Sequence, residues 1–398
     1  MLNIKIKSGR VCGSLQAIPS KSYAHRISIC NFLAGKNPSA GCLNFSSKDI
    51  EATENCLRDL SLGKTRLDCG ESGSTLRFLL PLLSALGGEF ELTGKGRLLD
   101  RPNEELFRVF NQHGVTSLKE DVIKIKGKLT AGDYLIRGDI SSQYVSGLLM
   151  ALPLLDGDSK IILSTPLASR PYVDITLEVL ALYGIEITST DFGFMIKGNQ
   201  KYQGSARVEG DWSNSAFFMV LGAISGEVEV YGLNLDSVQG DKQILDILSL
   251  AGAKVEIGKG IKVSQSKLKA FCYDAQDCPD LVPITAVLAS YAEGETVIKN
   301  IERLKIKESD RVQTTQAMLE AFGIESSCDG NALKIKGGKP KGGIIDSFND
   351  HRIVMSSAVL ASGAKGESLI TNAQAVSKSY PTFFEDYNSL GGVSYEER

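Results

Sequence analysis

PSKSYAHR, residues 19–26, follows a short alternating segment, NIKIK at residues 3–7, and opens the apolar run ISICNFLAG. Small polar residues at a helix start leave backbone N–H groups pointing outward, and Lys21 and Arg26 add two cations at the positive end of the helix dipole. Such a helix start binds anions. A helix cap that only faces solvent could have the same sequence as this segment. The prediction of an anion site therefore depends on whether the pattern recurs along the chain.

The pattern recurs along the whole chain as a polar turn, an apolar helix of about three turns and a glycine-marked exit. The helices include LRFLLPLLSALGG, YVSGLLMALPLL, SAFFMVLGAISG, VPITAVLASYAEG and IVMSSAVLASGAKG. Because they are apolar nearly all round, we expect them to be buried. The polar turns lie at residues 20–22, 71–74, 141–143, 211–214, 278–280 and 349–352.

A second, amphipathic helix follows each buried one, and short strands with period-two patterning lie between the helices. One unit is therefore a βαβαββ-like block of roughly 65 to 70 residues, and six blocks use up the chain. Chance alternation in an ordinary α/β protein would not keep the polar turn at the same place. The amphipathic helices are predicted to start at Asp49, Arg101, Arg170, Asp241, Glu308 and Ser379, and the strands include VIKIKG, YLIRGD, FMIKG, ARVEGD, KVEIGKGIKVS and LKIKGG.

Six blocks could form one solenoid or two groups of three. The strand ahead of the first turn and the ARVEGDW segment around Gly210 resemble crossings between two lobes. We therefore expect residues 20–209 to form one lobe and residues 1–19 with 210–398 to form the other, joined by two hinge strands. An anionic ligand held between the lobes would drive their closure.

Composition narrows the function classes. The 398-residue chain has a formal net charge of −3, so nucleic acid is not attracted to its whole surface. Eight scattered cysteines without a CxxC pair predict buried thiols in a reducing cytoplasm, and the sequence shows no secretion signal or membrane-length apolar run. We expect a soluble cytoplasmic protein. The missing P-loop and Rossmann fingerprints argue against nucleotide hydrolysis and dinucleotide redox chemistry.

Cations are concentrated at the repeated turns, with acids among them. Arginines beside Gly, Ser and Pro suit bidentate contact with carboxylate or phosphate. Asp280, Glu308 and Asp350 either cap helices or, in the more specific interpretation, transfer protons during a reaction. Histidines also stand in two of the turns, His25 and His351. The cations are Lys21, Arg26, Arg77, Arg97, Arg101, Arg170, Lys307, Arg311, Arg352 and Lys378.

In combination, PSKSYAHR, ESGSTLRF, GRLLDRP, GDISSQYVSGLLMALPL, SRPYVDITL, VEGDWSNSAFF, KESDR, FNDHR and SKSYPTFF resemble the 5-enolpyruvylshikimate-3-phosphate synthase family over essentially the whole chain. The resemblance implies an α/β (α+β) fold of two similar lobes, each of three βαβαββ repeats with buried helices, an inside-out α/β barrel. It also implies transfer of the enolpyruvyl group of phosphoenolpyruvate to the 5-hydroxyl of shikimate 3-phosphate, with release of phosphate. The family needs no metal or organic cofactor, and we expect a monomer with no nucleic-acid or membrane partner.

The resemblance also implies which residues form the substrate site, namely those at positions that match the family's motifs. Asp280 would accept the 5-hydroxyl proton, and Glu308, with Lys21, would handle the methylene proton. Lys21, Ser22 and Arg26 would contact both substrates, and Gln143 would reach toward both. Shikimate 3-phosphate would be bound by Ser141, Ser142, Ser169, Tyr172 and Lys307, and phosphoenolpyruvate by Gly73, Ser74, Arg101, Arg311, Arg352 and Lys378.

Two positions depart from the family pattern, since Glu71 and Arg303 stand where relatives often carry Asn. Glu71 either points away from the anion pocket or pairs with a nearby Arg. The nearest rival function is that of the UDP-N-acetylglucosamine enolpyruvyl transferases, which carry a reactive Cys before the Arg-Pro pair. GKGRLLDRP has none. An RNA-end cyclase-like protein or a non-enzymatic anion-binding scaffold of the same repeat is disfavoured because no basic, aromatic stripe is present.

Overall fold

The N-terminal strands pair with strands from the second half of the chain, which makes one of two compact units discontinuous in sequence. The structure, a computed structural model, describes residues 2–41 and 47–397. The discontinuous unit comprises Met1–Ile18 and Glu209–Arg398, and the continuous unit comprises Pro19–Val208. Each unit has one large hydrophobic core of its own.

Helices and strands alternate along both units. The discontinuous unit begins with β1 (Ile4–Lys7) and β2 (Val11–Gln16). The described elements of the continuous unit are α1 (Lys21–Leu33), α2 (Lys48–Ser61), β3 (Arg66–Asp68), α3 (Gly73–Leu86), β4 (Gly88–Thr93), α4 (Glu104–Gln112), β5 (Val115–Lys119), β6 (Ile123–Gly127), β7 (Asp133–Ile136), α5 (Ser142–Ala151), β8 (Ser159–Leu163), α6 (Arg170–Leu182), β9 (Ile187–Thr190) and β10 (Gly193–Ile196). The discontinuous unit resumes with α7 (Trp212–Ser225), β11 (Gly226–Tyr231), α8 (Ile244–Leu250), β12 (Lys254–Ile257), β13 (Ile261–Ser264), β14 (Cys272–Asp274), α9 (Val282–Ser290), β15 (Glu295–Lys299), α10 (Arg311–Ala321), β16 (Ser326–Asp329), β17 (Ala332–Lys336), β18 (Ile344–Asp346), α11 (His351–Gly363), β19 (Ser368–Thr371), α12 (Phe383–Ser389) and β20 (Val393–Glu396).

The described residues form five four-stranded sheets with one shared topology: a parallel pair at one edge, then two antiparallel neighbours. The continuous unit contains β3-β4-β6-β5 and β7-β8-β10-β9, and the discontinuous unit contains β2-β11-β13-β12, β14-β15-β17-β16 and β18-β19-β1-β20. Parallel neighbours need a crossover, which the block places in a buried helix. The predicted βαβαββ block is confirmed in these five copies. The first copy contributes α1 and α2, and residues 42–46 lie outside the described ranges.

Strands β1 and β2 complete two sheets of the discontinuous unit. Strand β2 runs parallel to β11, with register from Gly226↔Val11 to Tyr231↔Gln16. Strand β1 lies between β19 and β20 and is antiparallel to both. The chain therefore leaves this unit after β2, builds the continuous unit and returns.

The apolar helices are buried, as predicted. Helices α3, α5, α7, α9 and α11 have buried residues on nearly every face. Trp212, at the start of α7, is fully buried and donates its indole N–H to Asn234 O at 3.0 Å, so its side chain is part of the core. These helices hold the polar turns at fixed positions against each core.

Four amphipathic helices begin later than predicted: α4 at Glu104 instead of Arg101, α8 at Ile244 instead of Asp241 after a 3₁₀ turn over Gly240–Gln243, α10 at Arg311 instead of Glu308, and α12 at Phe383 instead of Ser379. Pro102 disfavours a helical conformation of the residue before it. Asp310 caps α10 by accepting hydrogen bonds from Val312 N and Gln313 N. Several predicted site residues consequently lie in the loops before these helices.

The ARVEGD segment, predicted as a strand, forms none beyond a single β-bridge at Gly210. Ala206 and Val208 are partly buried against the core of the continuous unit, so partial burial accounts for the alternating pattern. Periodicity alone does not distinguish these two causes.

Candidate active site

Arg101 packs against the helix start at Gly73. Ser72 caps α3 by accepting a hydrogen bond from Thr75 N at 3.2 Å, and Gly73 is the first helical residue. A Cβ added to Gly73 would lie 2.4 Å from Arg101 Nη1 and 2.8 Å from its Cζ, closer than real side chains approach. Arg101 is buried. Glycine at position 73 thus allows two predicted phosphoenolpyruvate residues to lie in contact.

Gln143 is held between Ser74 and Arg77. Its Nε2 donates to Ser74 Oγ at 2.9 Å, and its Oε1 accepts from Arg77 Nη1 at 2.9 Å. Arg77 also donates to Pro102 O at 2.9 Å and to Asn103 Oδ1 at 3.3 Å. Arg77, which the sequence analysis left without a substrate role, therefore fixes both Gln143 and the loop that carries the predicted arginine at position 101.

Lys21 is the first residue of α1 and pairs with Asp49. Lys21 Nζ lies 2.7 Å from Asp49 Oδ2, and both side chains are largely buried. Ser22 follows in the same turn and is half-buried. Sequence reasoning treated Asp49 as a helix start and missed its contact with Lys21, because nothing in the local sequence links residues 28 positions apart.

Arg26 is an interior residue of the continuous unit. Its guanidinium donates to Thr176 Oγ1 at 2.7 Å, to Ser22 O at 2.7 Å and to Tyr172 O at 2.8 Å. It also lies 4.9 Å from the centroid of the Phe78 ring. Burial lowers the pKa of Arg26 to about 10. Its hydrogen bonds connect the starts of α1 and α6, which carry two predicted substrate residues.

The remaining predicted residues of this unit lie at the starts of α5 and α6. Ser141 caps α5 by accepting from Gln143 N at 3.3 Å, and Ser142 is the first residue of that helix. Ser169 precedes α6 with φ 54° and ψ 46°, a left-handed conformation that is uncommon outside glycine. Backbone strain of this kind is concentrated at ligand sites. Tyr172 follows in the first turn of α6 and is half-buried.

In the discontinuous unit, three predicted cations converge on Asp280. Arg311 Nη1 lies 2.7 Å and Lys307 Nζ 3.3 Å from Asp280 Oδ1, and Arg352 Nη2 lies 3.3 Å from Oδ2. Arg352 Nη1 also donates to the carbonyl oxygen of Asp280 at 3.0 Å. Four of the predicted residues thus form one cluster.

The charges in this cluster change the pKa values of its members. Burial by itself raises the pKa of Asp280, but Arg352, Lys307 and Arg311 outweigh it and hold that pKa well below its usual range. Burial lowers the pKa of Lys307 to about 8, because it outweighs the opposing effect of Asp280. Asp280 is therefore ionised at neutral pH, and Lys307 titrates in the weakly alkaline range.

Arg311 is the fully buried centre of the same cluster. It donates to Glu308 Oε2 at 2.5 Å and to Asp350 Oδ2 at 2.8 Å. Burial lowers the pKa of Arg311, but Asp350, Glu308 and Asp280 outweigh burial and raise it overall. Asp350 also accepts from Arg352 N at 2.9 Å, which confirms the capping interpretation of this acid.

Lys378 lies beside the turn that opens α11. Its Nζ donates to Asn349 O at 2.7 Å, and the ammonium group is buried. Asn349 has φ 55°, again a left-handed conformation. A second strained turn therefore adjoins a predicted phosphoenolpyruvate residue.

Sequence reasoning assigned no site role to Ser213 or Asp241, which border this cluster. Arg352 Nη2 donates to Ser213 Oγ at 2.8 Å. Burial and the neighbouring Asp280 raise the pKa of Asp241 to about 6, against the opposing effect of Arg352. Ser213 lies in one of the repeated polar turns, and that recurrence was the available signal.

The two departures from the family pattern lie at identifiable places. Glu71 lies against Gly96, where an added Cβ would come within 2.9 Å of Glu71 Oε2. Arg303 donates to Gln276 O at 3.4 Å. Neither contact assigns a catalytic role.

Within residues 2–41 and 47–397, no grouping of three or more His, Cys, Asp or Glu side chains is placed to hold a metal ion. None of the described helices combines the length and apolar character that a membrane span requires.

Comparison with known proteins gives consistent results. The model of the family described as EPSP synthase (3-phosphoshikimate 1-carboxyvinyltransferase) matches residues 6–387. The 3-phosphoshikimate 1-carboxyvinyltransferase of Clostridium novyi (strain NT) is 39% identical and aligns over 99% of this chain and 98% of the relative. That of Clostridium kluyveri is 40% identical over 98% of each chain.

Solved structures share the fold. An EPSP synthase from Acinetobacter baumannii matches with a TM-score of 0.80 and 24% identity over 100% of both chains. The enolpyruvyl transferase NikO from Streptomyces tendae matches with a TM-score of 0.77 and 17% identity over 99% of both chains. At these sequence identities, the structural similarity is evidence for the fold alone.

Proposed function

This chain belongs to the EPSP synthase family, and from that premise we propose how its residues carry out the 3-phosphoshikimate 1-carboxyvinyltransferase reaction of the shikimate pathway. In this reaction the 5-oxygen of shikimate 3-phosphate bonds to C2 of phosphoenolpyruvate while a proton adds to C3, which gives a tetrahedral intermediate. The C2–O bond to phosphate then breaks and C3 loses a proton. The products are 5-enolpyruvylshikimate 3-phosphate and phosphate.

The observation that carries the assignment of roles is the convergence of Lys307, Arg311 and Arg352 on Asp280, within 2.7–3.3 Å. The same cluster holds Glu308 and Asp350 against Arg311, so its cations are fixed in place before any substrate binds. Cations that are preorganised in this way stabilise negative charge that develops during reaction. This electrostatic stabilisation requires no metal ion.

Asp280 is the proposed base for the 5-hydroxyl proton. With its pKa held well below the usual range, Asp280 alone is a poor proton acceptor. Negative charge from bound phosphoenolpyruvate would offset Arg311 and Arg352 and raise the pKa of Asp280. The base would therefore become effective when the donor substrate is bound.

Glu308 is the proposed partner for the methylene proton. Its carboxylate is more exposed than Arg311, which holds it at 2.5 Å. Glu308 would deliver a proton to C3 from its protonated form, and the carboxylate that this leaves would later remove one. Lys21, paired with Asp49, is the proposed second participant.

The proposed binding groups follow the positions described above. Arginine forks and helix-start N–H groups suit the carboxylate and phosphate of phosphoenolpyruvate, and small hydroxyls suit the shikimate phosphate. Arg26 contributes mainly by positioning Ser22 and Tyr172, since it hydrogen-bonds the backbone carbonyl of each. Phosphoenolpyruvate is assigned Gly73, Ser74, Arg101, Arg311, Arg352 and Lys378, shikimate 3-phosphate is assigned Ser141, Ser142, Ser169, Tyr172 and Lys307, and both substrates are assigned Lys21, Ser22, Arg26 and Gln143.

Phosphate release with two alternative acceptors tests the proposal. The wild-type protein is mixed with phosphoenolpyruvate and either shikimate 3-phosphate or UDP-N-acetylglucosamine. Release with the first acceptor and none with the second is expected. Release with the nucleotide sugar alone would assign the rival activity, and an Asp280→Ala variant is the background control.

We also propose that the protein acts as a cytoplasmic monomer. The seven cysteines in the described ranges are free thiols, as a reducing compartment favours. Light scattering of the purified protein measures its mass in solution, and a dimer mass would contradict the monomer.

A further inference from the structure

A buried chain of polar side chains leads from His25 on α1 to Ser72 at the start of α3. His25 Nδ1 lies 2.7 Å from Thr53 Oγ1, which lies 2.6 Å from Thr75 Oγ1. Thr75 Oγ1 lies 2.8 Å from Ser72 Oγ. All four side chains are at most 1% exposed. The chain joins three helices and ends at the turn that carries Gly73.

The hydrogen bonds in this series of side chains all donate in the same direction, from His25 toward Ser72. The Thr75 hydroxyl donates to Ser72 Oγ and makes a longer, 3.4 Å contact with Asp49 O. A hydroxyl has a single proton, so Thr53 must donate to Thr75. Thr53 then has no proton left for His25, and His25 Nδ1 must be the donor to Thr53. With a proton at Nδ1 all three hydrogen bonds form together, whereas without it Thr53 would have to donate to His25 and would lose its bond to Thr75.

His25 is suited to hold that state. Burial, followed by the neighbouring charges of Lys21 and Arg26, lowers the pKa of His25 well below its usual value, so the ring is neutral. A neutral ring carries one N–H, and it lies at Nδ1. In the part of the chain that the structure describes, His25 Nε2 has no hydrogen-bond partner.

We propose that His25 is a positioning residue for phosphoenolpyruvate binding, acting through Thr53 and Thr75 on the Ser72 cap of α3. The cap fixes the first helical turn, and so the direction of the Gly73 N–H and Ser74 hydroxyl that the proposed function assigns to this substrate. The inference rests on that assignment. Breaking the chain should weaken phosphoenolpyruvate and spare shikimate 3-phosphate.

Steady-state kinetics of the full-length protein test the inference. Thr53→Val removes the central hydroxyl while keeping the shape of the side chain, and His25→Leu removes the initial donor. His25→Asn places an amide N–H where Nδ1 stood. Ser28→Ala, on the same helix, is the matched control, since Ser28 Oγ is buried without a hydrogen-bond partner among the described residues.

Thr53→Val and His25→Leu should each raise KM for phosphoenolpyruvate about tenfold, the effect of one lost hydrogen bond. KM for shikimate 3-phosphate should stay unchanged, His25→Asn should restore the wild-type KM, and Ser28→Ala should change neither. A selective effect that the Asn variant restores supports a positioning role, because general loss of stability would alter both constants.

An unchanged KM in folded Thr53→Val, an equal rise for both substrates, or failure of the Asn variant to restore binding would each overturn the inference. If the His25→Leu variant does not fold, the KM values of the Thr53→Val variant test the inference instead. The proposed function is judged separately by phosphate release from the wild-type protein. Its absence there would refute the function, whereas an active wild type with unaffected variants would refute only the role of His25.

Discussion

Replacing Gly73 with alanine should weaken phosphoenolpyruvate without weakening the fold. The added methyl carbon would lie 2.4 Å from Arg101 Nη1, whereas ordinary contact begins at 3.4 Å, so the guanidinium must move by about 1 Å. Losing one hydrogen bond from a charged group costs about 1.5–3 kcal/mol, which is roughly tenfold to a hundredfold in affinity. Alanine suits a helix better than glycine by up to about 1 kcal/mol, so stability should hold or rise.

The assay is kcat/KM for each substrate together with thermal unfolding. kcat/KM for phosphoenolpyruvate should fall by the amount given above, and the unfolding midpoint should not fall. Gly9→Ala is the matched control, because a Cβ there meets nothing within 4 Å. In an Arg101→Ala background, Gly73→Ala should cost little more, since both changes act on the same contact. Full additivity in this double-mutant cycle, or an unchanged kcat/KM in the single variant, would refute the reasoning.

Two further predictions concern the Asp280 cluster. Asp280→Asn should lower kcat by about 10²–10⁴, the usual contribution of a general base, and single-turnover rates measure it; near wild-type turnover would remove Asp280 as the base. Because the pKa of Lys307 is lowered to about 8, its positive charge is present below that pH and lost above it. kcat/KM for shikimate 3-phosphate should therefore fall above about pH 8, and Lys307→Arg should move that decline to higher pH; an identical alkaline profile in both proteins would contradict this role.

The repeated block could be predicted because each copy combines local signals. An all-round apolar helix such as α3 must be buried, and period-two strands must pair, so the βαβαββ order follows from hydropathy alone. The polar turns could be recognised in the sequence because each contains a residue type that caps helices. In the structure the caps are Ser72, Ser141, Asp211 and Asp350. The ARVEGD segment misled because partial burial without a paired strand produces the same alternation.

The contacts within each cluster were less accessible to sequence reasoning. Lys21 and Asp49, or Arg352 and Ser213, are joined only after the chain has folded, and neither pair has a local pattern. The starts of α4 and α12 shifted beside Pro102 and Pro381, and the start of α10 shifted because Asp310 caps that helix. These shifts place Arg101 and Glu308 in the loops before α4 and α10.

Bond cleavage in phosphoenolpyruvate tests the central claim most directly. Enolpyruvyl transfer breaks the bond between C2 and the bridging oxygen, whereas phosphoryl transfer breaks the bond between that oxygen and phosphorus. With phosphoenolpyruvate carrying ¹⁸O at the bridging position and shikimate 3-phosphate as acceptor, mass spectrometry should find the label in inorganic phosphate and an unlabelled enol ether. Label retained in a carbon product such as pyruvate would contradict the account.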